Sequence, residues 1–293
     1  MARPEDSHSL LPSPRVRFQP GFAGRVGRLV ARWSAARQRR EGAGRARLFG
    51  AGAEFVGFRP YRPGEDLRQL DWSLFARTRK PFVRVSRREA FEEWALLLDT
   101  SASMGVGRPG KLQFQAEVAA GVTAVARQLG ARVTLLAGNG QTLRAGPRTP
   151  LAAVLGFLER CEARGRLEWE RLADELGKAR SAGRVIVLGD CLDLSPRAVL
   201  RLQRPGREVS VLQILAREEL APRASGAVEW VDCEADERLT VDVDPALVSA
   251  YDVALSETLE EWGQTLAKHR IGYAVWSSGR DFEDVFQDEL VSS

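Results

Sequence analysis

Two uninterrupted apolar runs do most to limit what this chain can fold into: Trp94-Ala95-Leu96-Leu97-Leu98, and Val185-Ile186-Val187-Leu188 within the strand Arg184–Leu188. Neither alternates polar with apolar residues, so each needs cover on both faces, as strands inside a parallel sheet have. Helical periods follow over Lys111–Leu129, Pro150–Ala163, Trp169–Ala182 and Pro245–His269, with a closing helix over Phe282–Leu290. Glu208–Leu215 and Gly272–Ser277 supply further strands. Strands alternating with helices of this length predict an α/β fold, a doubly wound and mostly parallel sheet. Arg132–Ala137 and Gln141–Ala145 flank Gly138-Asn139-Gly140, a hairpin signal that adds one antiparallel strand. Ala227–Cys233 and Arg238–Asp242 resemble a further hairpin.

The chain before this alternation is different. Residues 1–20 contain four prolines and no sustained period, and are expected to be disordered or loosely draped. Over 22–40, Val26, Leu29, Val30 and Trp33 fall on one helical face among Arg25, Arg28, Arg32, Arg37, Arg39 and Arg40. Two uses of this basic amphipathic helix stand open: docking its stripe on the rest of the chain, or lying on nucleic acid or an anionic membrane surface. Residues 45–92 are rich in turn signals around β-prone pieces at Glu54–Arg59 and Phe82–Ser86, with a short helix expected over Asp66–Thr78. Three regions result: a basic N-terminal region (1–44), a small β-rich segment (45–92) and an α/β domain (93–293).

Charge follows the same division. Residues 1–90 hold 20 basic against 8 acidic side chains, and residues 91–293 hold 23 against 31. Three cysteines without a C-x-x-C pair exclude a disulfide scaffold and a cysteine zinc site, and two histidines leave little for a multi-histidine metal site. No run of about 18 apolar residues occurs, and the first twenty residues lack the apolar core of a secretory signal. A cytoplasmic location is expected.

Ligands of an open α/β sheet sit beyond the carboxyl ends of its strands. The first buried strand runs into Asp99-Thr100-Ser101-Ala102-Ser103, and the later one into Gly189-Asp190-Cys191. D-x-S-x-S supplies one carboxylate and two hydroxyls, oxygen donors suited to a hard divalent cation such as Mg2+ or Mn2+. Two other chemistries start from similar patterns. Gly105 to Lys111 spells G-x-x-x-x-G-K, but Leu112 stands where a phosphate loop needs Ser or Thr, so nucleotide binding is not expected. A phosphatase of the haloacid dehalogenase type needs D-x-D, and Ser101 occupies the second carboxylate's place.

D-x-S-x-S after an apolar strand resembles the metal-ion-dependent adhesion site of von Willebrand factor A domains. The string Arg59-Pro60-Tyr61-Arg62-Pro63-Gly64-Glu65-Asp66-Leu67-Arg68, continued by Asp71-Trp72 and Ala76-Arg77-Thr78, resembles the DUF58 family, whose members carry such a domain. The likeness runs from about Phe49 to the C-terminus. It implies a metal set of Asp99, Ser101, Ser103, Thr149 and Asp190; Thr149 is equally well placed to cap a helix. It also implies a non-enzymatic, metal-dependent protein-interaction module, working with a MoxR-type AAA+ ATPase and with a client whose acidic residue completes the metal shell. Arg59, Arg62, Asp66, Arg68 and Arg77, with Glu65 and Asp71, form either a partner-binding face or a set of ion pairs internal to the chain. A nucleic-acid or anionic-surface binder using the basic N-terminal region is the main alternative, and a metal-dependent phosphohydrolase the weaker one.

Overall fold

The computed structural model describes residues 15–42, 54–60, 82–87, 93–178, 182–234 and 237–288. The chain divides into two compact units, residues 36–92 and the remainder. In the smaller unit, β1 (Glu54–Pro60) and β2 (Phe82–Arg87) pair antiparallel, with an irregular step between Phe55 and Gly57. The helix expected over Asp66–Thr78 lies outside the described residues.

The larger unit is built on a six-stranded sheet. Its strands are β3 (Glu93–Leu98), β4 (Arg132–Ala137), β5 (Thr142–Ala145), β6 (Ala182–Gly189), β7 (Glu208–Leu215) and, after an outlying hairpin of β8 (Gly226–Val231) and β9 (Arg238–Val243), β10 (Gly272–Ser277). They lie in the order β10-β7-β6-β3-β4-β5. All pairings are parallel except β4 with β5, the hairpin expected around Gly138–Gly140. The fold is α/β, with a mostly parallel mixed sheet and one antiparallel strand.

Both faces are covered, as the unbroken apolar runs require. Along β3, Trp94, Leu96 and Leu98 enter one core and Ala95 and Leu97 the other. The first core is closed by α1 (Phe22–Gly42), α2 (Lys111–Gln128), α3 (Leu151–Leu158) and the segment running into α8 (Val285–Asp288). The second is closed by α4 (Trp169–Lys178), α5 (Pro196–Leu200) and α7 (Pro245–Lys268), α6 (Arg217–Leu220) being a single turn after β7.

Helix α1 resolves one open alternative. Phe22, Val26 and Leu29 are buried in the first core, with Val30 and Trp33 packed against it. Phe22 meets Phe282 at a centroid distance of 5.2 Å. Arg25 binds Asp281 at 2.6 Å and Glu283 at 3.1 Å, and Arg32 also pairs with Glu283. The apolar stripe is used inside the chain and is not free for an outside surface.

Helix α3 ends at Leu158, short of the helix expected to reach Ala163. The residues after it form a loop crossing towards the first buried strand's end. Arg164 N–H donates to the Thr100 carbonyl at 2.9 Å, and Ala102 N–H to the Gly165 carbonyl at 2.8 Å. Among the described residues, no helix is long and apolar enough to cross a membrane.

Candidate functional site

The chain builds from β3 outward to β4 on one side, then returns to place β6 and β7 on the other. The reversal falls between β3 and β6, where an open α/β sheet leaves a crevice beyond its strand ends. Leu98 and Leu188 are in register, so Asp99 and Asp190 emerge beside each other; Asp99 N–H donates to the Leu188 carbonyl at 3.0 Å.

The D-x-S-x-S segment folds over its own carboxylate. Asp99 Oδ1 accepts from Ser101 N–H at 2.8 Å and from Ser101 Oγ at 2.6 Å, and Ser101 Oγ lies 2.9 Å from Ser103 Oγ. This is the local side-chain-to-backbone bonding that favours Asp in turns. Asp99 and Ser101 are buried and Ser103 is half-buried. Gly189 is required by the packing: a Cβ there would lie 2.6 Å from Asp99 Cβ and 2.9 Å from its Oδ2. This explains a glycine directly before Asp190. After Asp190 the backbone turns through Cys191 with φ of 57°, the left-handed region that non-glycine residues rarely enter.

Several residues of the site escaped the sequence reading. Lys111 is fully buried, and its Nζ donates to Asp190 Oδ2 at 2.8 Å and to Glu219 Oε1 at 2.6 Å. It closes the G-x-x-x-x-G-K string on carboxylates rather than on a phosphate. Gln115 Nε2 donates to the Asp99 carbonyl and Gln213 Nε2 to the Asp190 carbonyl, each at 2.7 Å. Gln213 Oε1 in turn accepts from the Tyr273 hydroxyl at 2.5 Å. One signal was available for Lys111: it is one of four lysines beside 39 arginines, at the first position of a helix.

Thr149 is not brought to this rim. β5 runs antiparallel, so Ala145 pairs with Val133 near the start of β4, whereas Asp99 follows the end of β3. At about 3.3 Å per strand residue the two ends are about 13 Å apart. There Thr149 Oγ1 accepts from Gly146 N–H at 3.0 Å, and Arg127, in the last turn of α2, donates to the Gly146 carbonyl. Thr149 closes a turn and is not the helix cap, which is Pro150. Of the signature residues, Arg59 falls in β1, and Arg62, Glu65, Asp66, Arg68, Asp71 and Arg77 lie outside the described residues.

Charge at the rim is unevenly answered. Burial, then the neighbouring Asp190 charge, push the Asp99 carboxyl up to about 7 against the opposing effects of Ser101 and Lys111. Burial alone would lower Lys111, but Asp190 and Glu219 outweigh it and hold its ammonium above its ordinary value. Burial, reinforced by Asp190 and Asp99, pushes the Cys191 thiol well up, which keeps it protonated and inert. Among the described residues, no Lys or Arg forms an ion pair with Asp99. Nor do three or more His, Cys, Asp or Glu side chains converge as a metal-binding group there; the converging oxygens are a mixture of carboxylate and hydroxyl.

A family model described as "Protein of unknown function DUF58" matches residues 57–261. The chain belongs to the DUF58 family. This DUF58 chain is 30% identical over 216 residues to uncharacterized proteins of Mycobacterium bovis and Mycobacterium tuberculosis, over 68% of its own length. It spans 66% of those relatives, just under two thirds. Among solved structures, a conserved hypothetical protein BatB from Bacteroides thetaiotaomicron is similar at 14% identity, with a TM-score of 0.41 over 67% of this chain and 95% of that one. An aerotolerance-related membrane protein from Bacteroides fragilis is similar at 15% identity, with a TM-score of 0.35 over 59% and 99%. Neither score carries an argument about function.

Proposed function

We propose that the rim formed by Asp99, Ser101, Ser103 and Asp190 binds a hard divalent cation, Mg2+ or Mn2+. Through that cation it would bind a carboxylate of a protein partner, as a von Willebrand factor A-like, non-enzymatic interaction module. The observation that supports this best is Asp99 itself: a buried carboxylate beside a second one, without an ion pair among the described residues. Burying such a pair is costly unless a positive charge shares it. Lys111 is already engaged by Asp190 and Glu219. The donor chemistry fits a hard cation, since the side-chain atoms that Asp99, Ser101 and Ser103 bring together are all oxygen and two are neutral hydroxyls.

In this reading Asp99 and Asp190 supply charge, Ser101 and Ser103 supply neutral oxygens, and Gln115 and Gln213 hold the two strand ends in place. The bound cation supplies Lewis acidity towards one more oxygen, and a partner's Asp or Glu is the natural donor. A MoxR-type AAA+ ATPase as working partner, and a cytoplasmic location, rest on the family resemblance and on the unpaired cysteines respectively. The alternative of a nucleic-acid or anionic-membrane binder is weakened by the buried stripe of α1 and by the pairing of Arg25 and Arg32.

Titration calorimetry of Mg2+ or Mn2+ into the wild type and the Asp99→Asn variant tests the reading. Saturable binding by the wild type, lost in the variant, is expected. Equal binding by both, or none by either, would overturn it.

A further inference from the structure

The β8–β9 hairpin carries an apolar face that is largely open to solvent. We propose that it takes up a strand of a protein partner, one in which apolar residues alternate with Lys or Arg. This surface stands apart from the cation rim and does not depend on it.

β8 and β9 form a two-stranded sheet of their own. Val228 pairs with Val241 and Trp230 with Leu239, so these four side chains share one face, while Glu229, Arg238 and Asp242 lie on the other. Trp230 is 44% and Leu239 60% exposed, and Val228 and Val241 are half-buried. The hairpin is anchored at its base by buried Val243 and near its tip by Glu234, whose Oε2 lies 3.4 Å from Arg166 Nε. It adds no side chain to either core of the sheet. A hairpin of two strands alone is marginally stable in water, and a third strand or a packed face completes it. A Trp–Leu cross-strand pair open to solvent is the part that a partner would cover.

Charge selects the occupant. Residues 226–261, the hairpin and the first part of α7, hold 11 acidic side chains against one basic, Arg238. Arg238 is itself paired with Glu229 at 3.2 Å. Glu237 and Asp242 are exposed on the hairpin, and Asp252 and Glu257 on the helix, whose buried residues are Trp262 and Leu266 near its far end. Such a field repels phosphate polymers and anionic lipid surfaces, and two copies of this face would repel each other. A strand with Lys or Arg on one side and apolar residues on the other answers both faces at once. It extends the Trp230–Leu239 face, sets cations beside Glu229 and Asp242, and gives a free ladder edge its hydrogen bonds.

The test uses the full chain and, as probe, a short fluorescein-labelled peptide in which Lys alternates with Leu and Thr, followed by fluorescence anisotropy. Control peptides carry Glu for Lys, or Ser for Leu. Saturable binding of the Lys/Leu peptide is expected, weakening as salt rises from about 50 mM to about 300 mM. Trp230→Ser should lose about tenfold or more in affinity with its circular dichroism melt unchanged. Glu237→Gln combined with Asp242→Asn should bind more weakly and with a flatter salt dependence. Amide exchange in peptides covering residues 226–243 should slow when the probe binds, and Asp99→Asn should bind it like the wild type. No saturable binding, equal binding of the Glu or Ser peptide, or wild-type affinity in either hairpin variant overturns the proposal. A loss in Asp99→Asn overturns it too, by moving the peptide to the rim, as does a duplex DNA oligomer that protects residues 226–243 in its place.

Discussion

Around Asp190 most polar atoms are tied to buried neighbours, whereas the β8–β9 hairpin adds no side chain to either core of the sheet. Lys111 and Gln213 hold the Asp190 side chain and carbonyl from two different elements, and Gly189 lets Asp99 pack directly against the strand end. The hairpin is mostly exposed along both strands. A tightly held strand end and an exposed hairpin should respond differently to substitution. Changes at the strand ends should cost folding stability, and changes along the exposed hairpin strands should leave it nearly intact.

Lys111→Met should have the largest effect, since it leaves Asp190 and Glu219 facing a buried apolar side chain. Removing one partner of a buried ion pair costs about 3–5 kcal/mol, to be read from urea unfolding. A loss below about 1 kcal/mol would mean that the strand ends are not a charge-locked structure. Gly189→Ala should follow, at about 1–3 kcal/mol, because the new methyl overlaps Asp99 and must push it aside. Mn2+ affinity should fall with it. Gln213→Leu leaves the Asp190 carbonyl without its donor and the Tyr273 hydroxyl without its acceptor, for a loss of about 1–3 kcal/mol.

The pH dependence has a definite sign. The Asp99 carboxyl titrates at about 7 in the folded chain against an ordinary value of 3.8, so the folded state holds the extra proton between those values. Stability should therefore fall as pH rises through that window. The melting temperature should drop on the order of a few degrees between about pH 5 and about pH 7.5, less in Asp99→Asn. Added Mg2+ should restore it at the higher pH. The smallest effect is expected on the other side of the comparison: Trp230→Ser should stay within about 0.5 kcal/mol of the wild type. A larger loss would show that the hairpin is packed as firmly as the strand ends.

What was legible in the sequence follows the same division. The apolar runs at Trp94–Leu98 and Val185–Leu188 announce strands buried on both faces. The residues directly after them are carried to the rim by strand geometry alone. Gln115, Gln213 and Glu219 sit at ordinary helical or strand positions, and only tertiary approach turns them into site residues. Thr149 went astray for the converse reason: a threonine before Pro150 reads alike as turn closure, helix cap or ligand. The direction of β5 decides among them by sending it to the other end of the sheet. Helix α1 showed its stripe plainly, but not what the stripe would cover.

Helix α1 also makes the larger unit discontinuous in sequence. Residues up to Ala35 belong with those from Glu93 onward, and residues 36–92 are inserted between them. In engineering terms this is a guest held by a host at two covalent leads. One lead is α1, riveted to the first core by Phe22, Val26 and Leu29. The other is β3, whose last residue precedes Asp99. The first carboxylate of the site thus stands one strand after the point where the chain re-enters the larger unit.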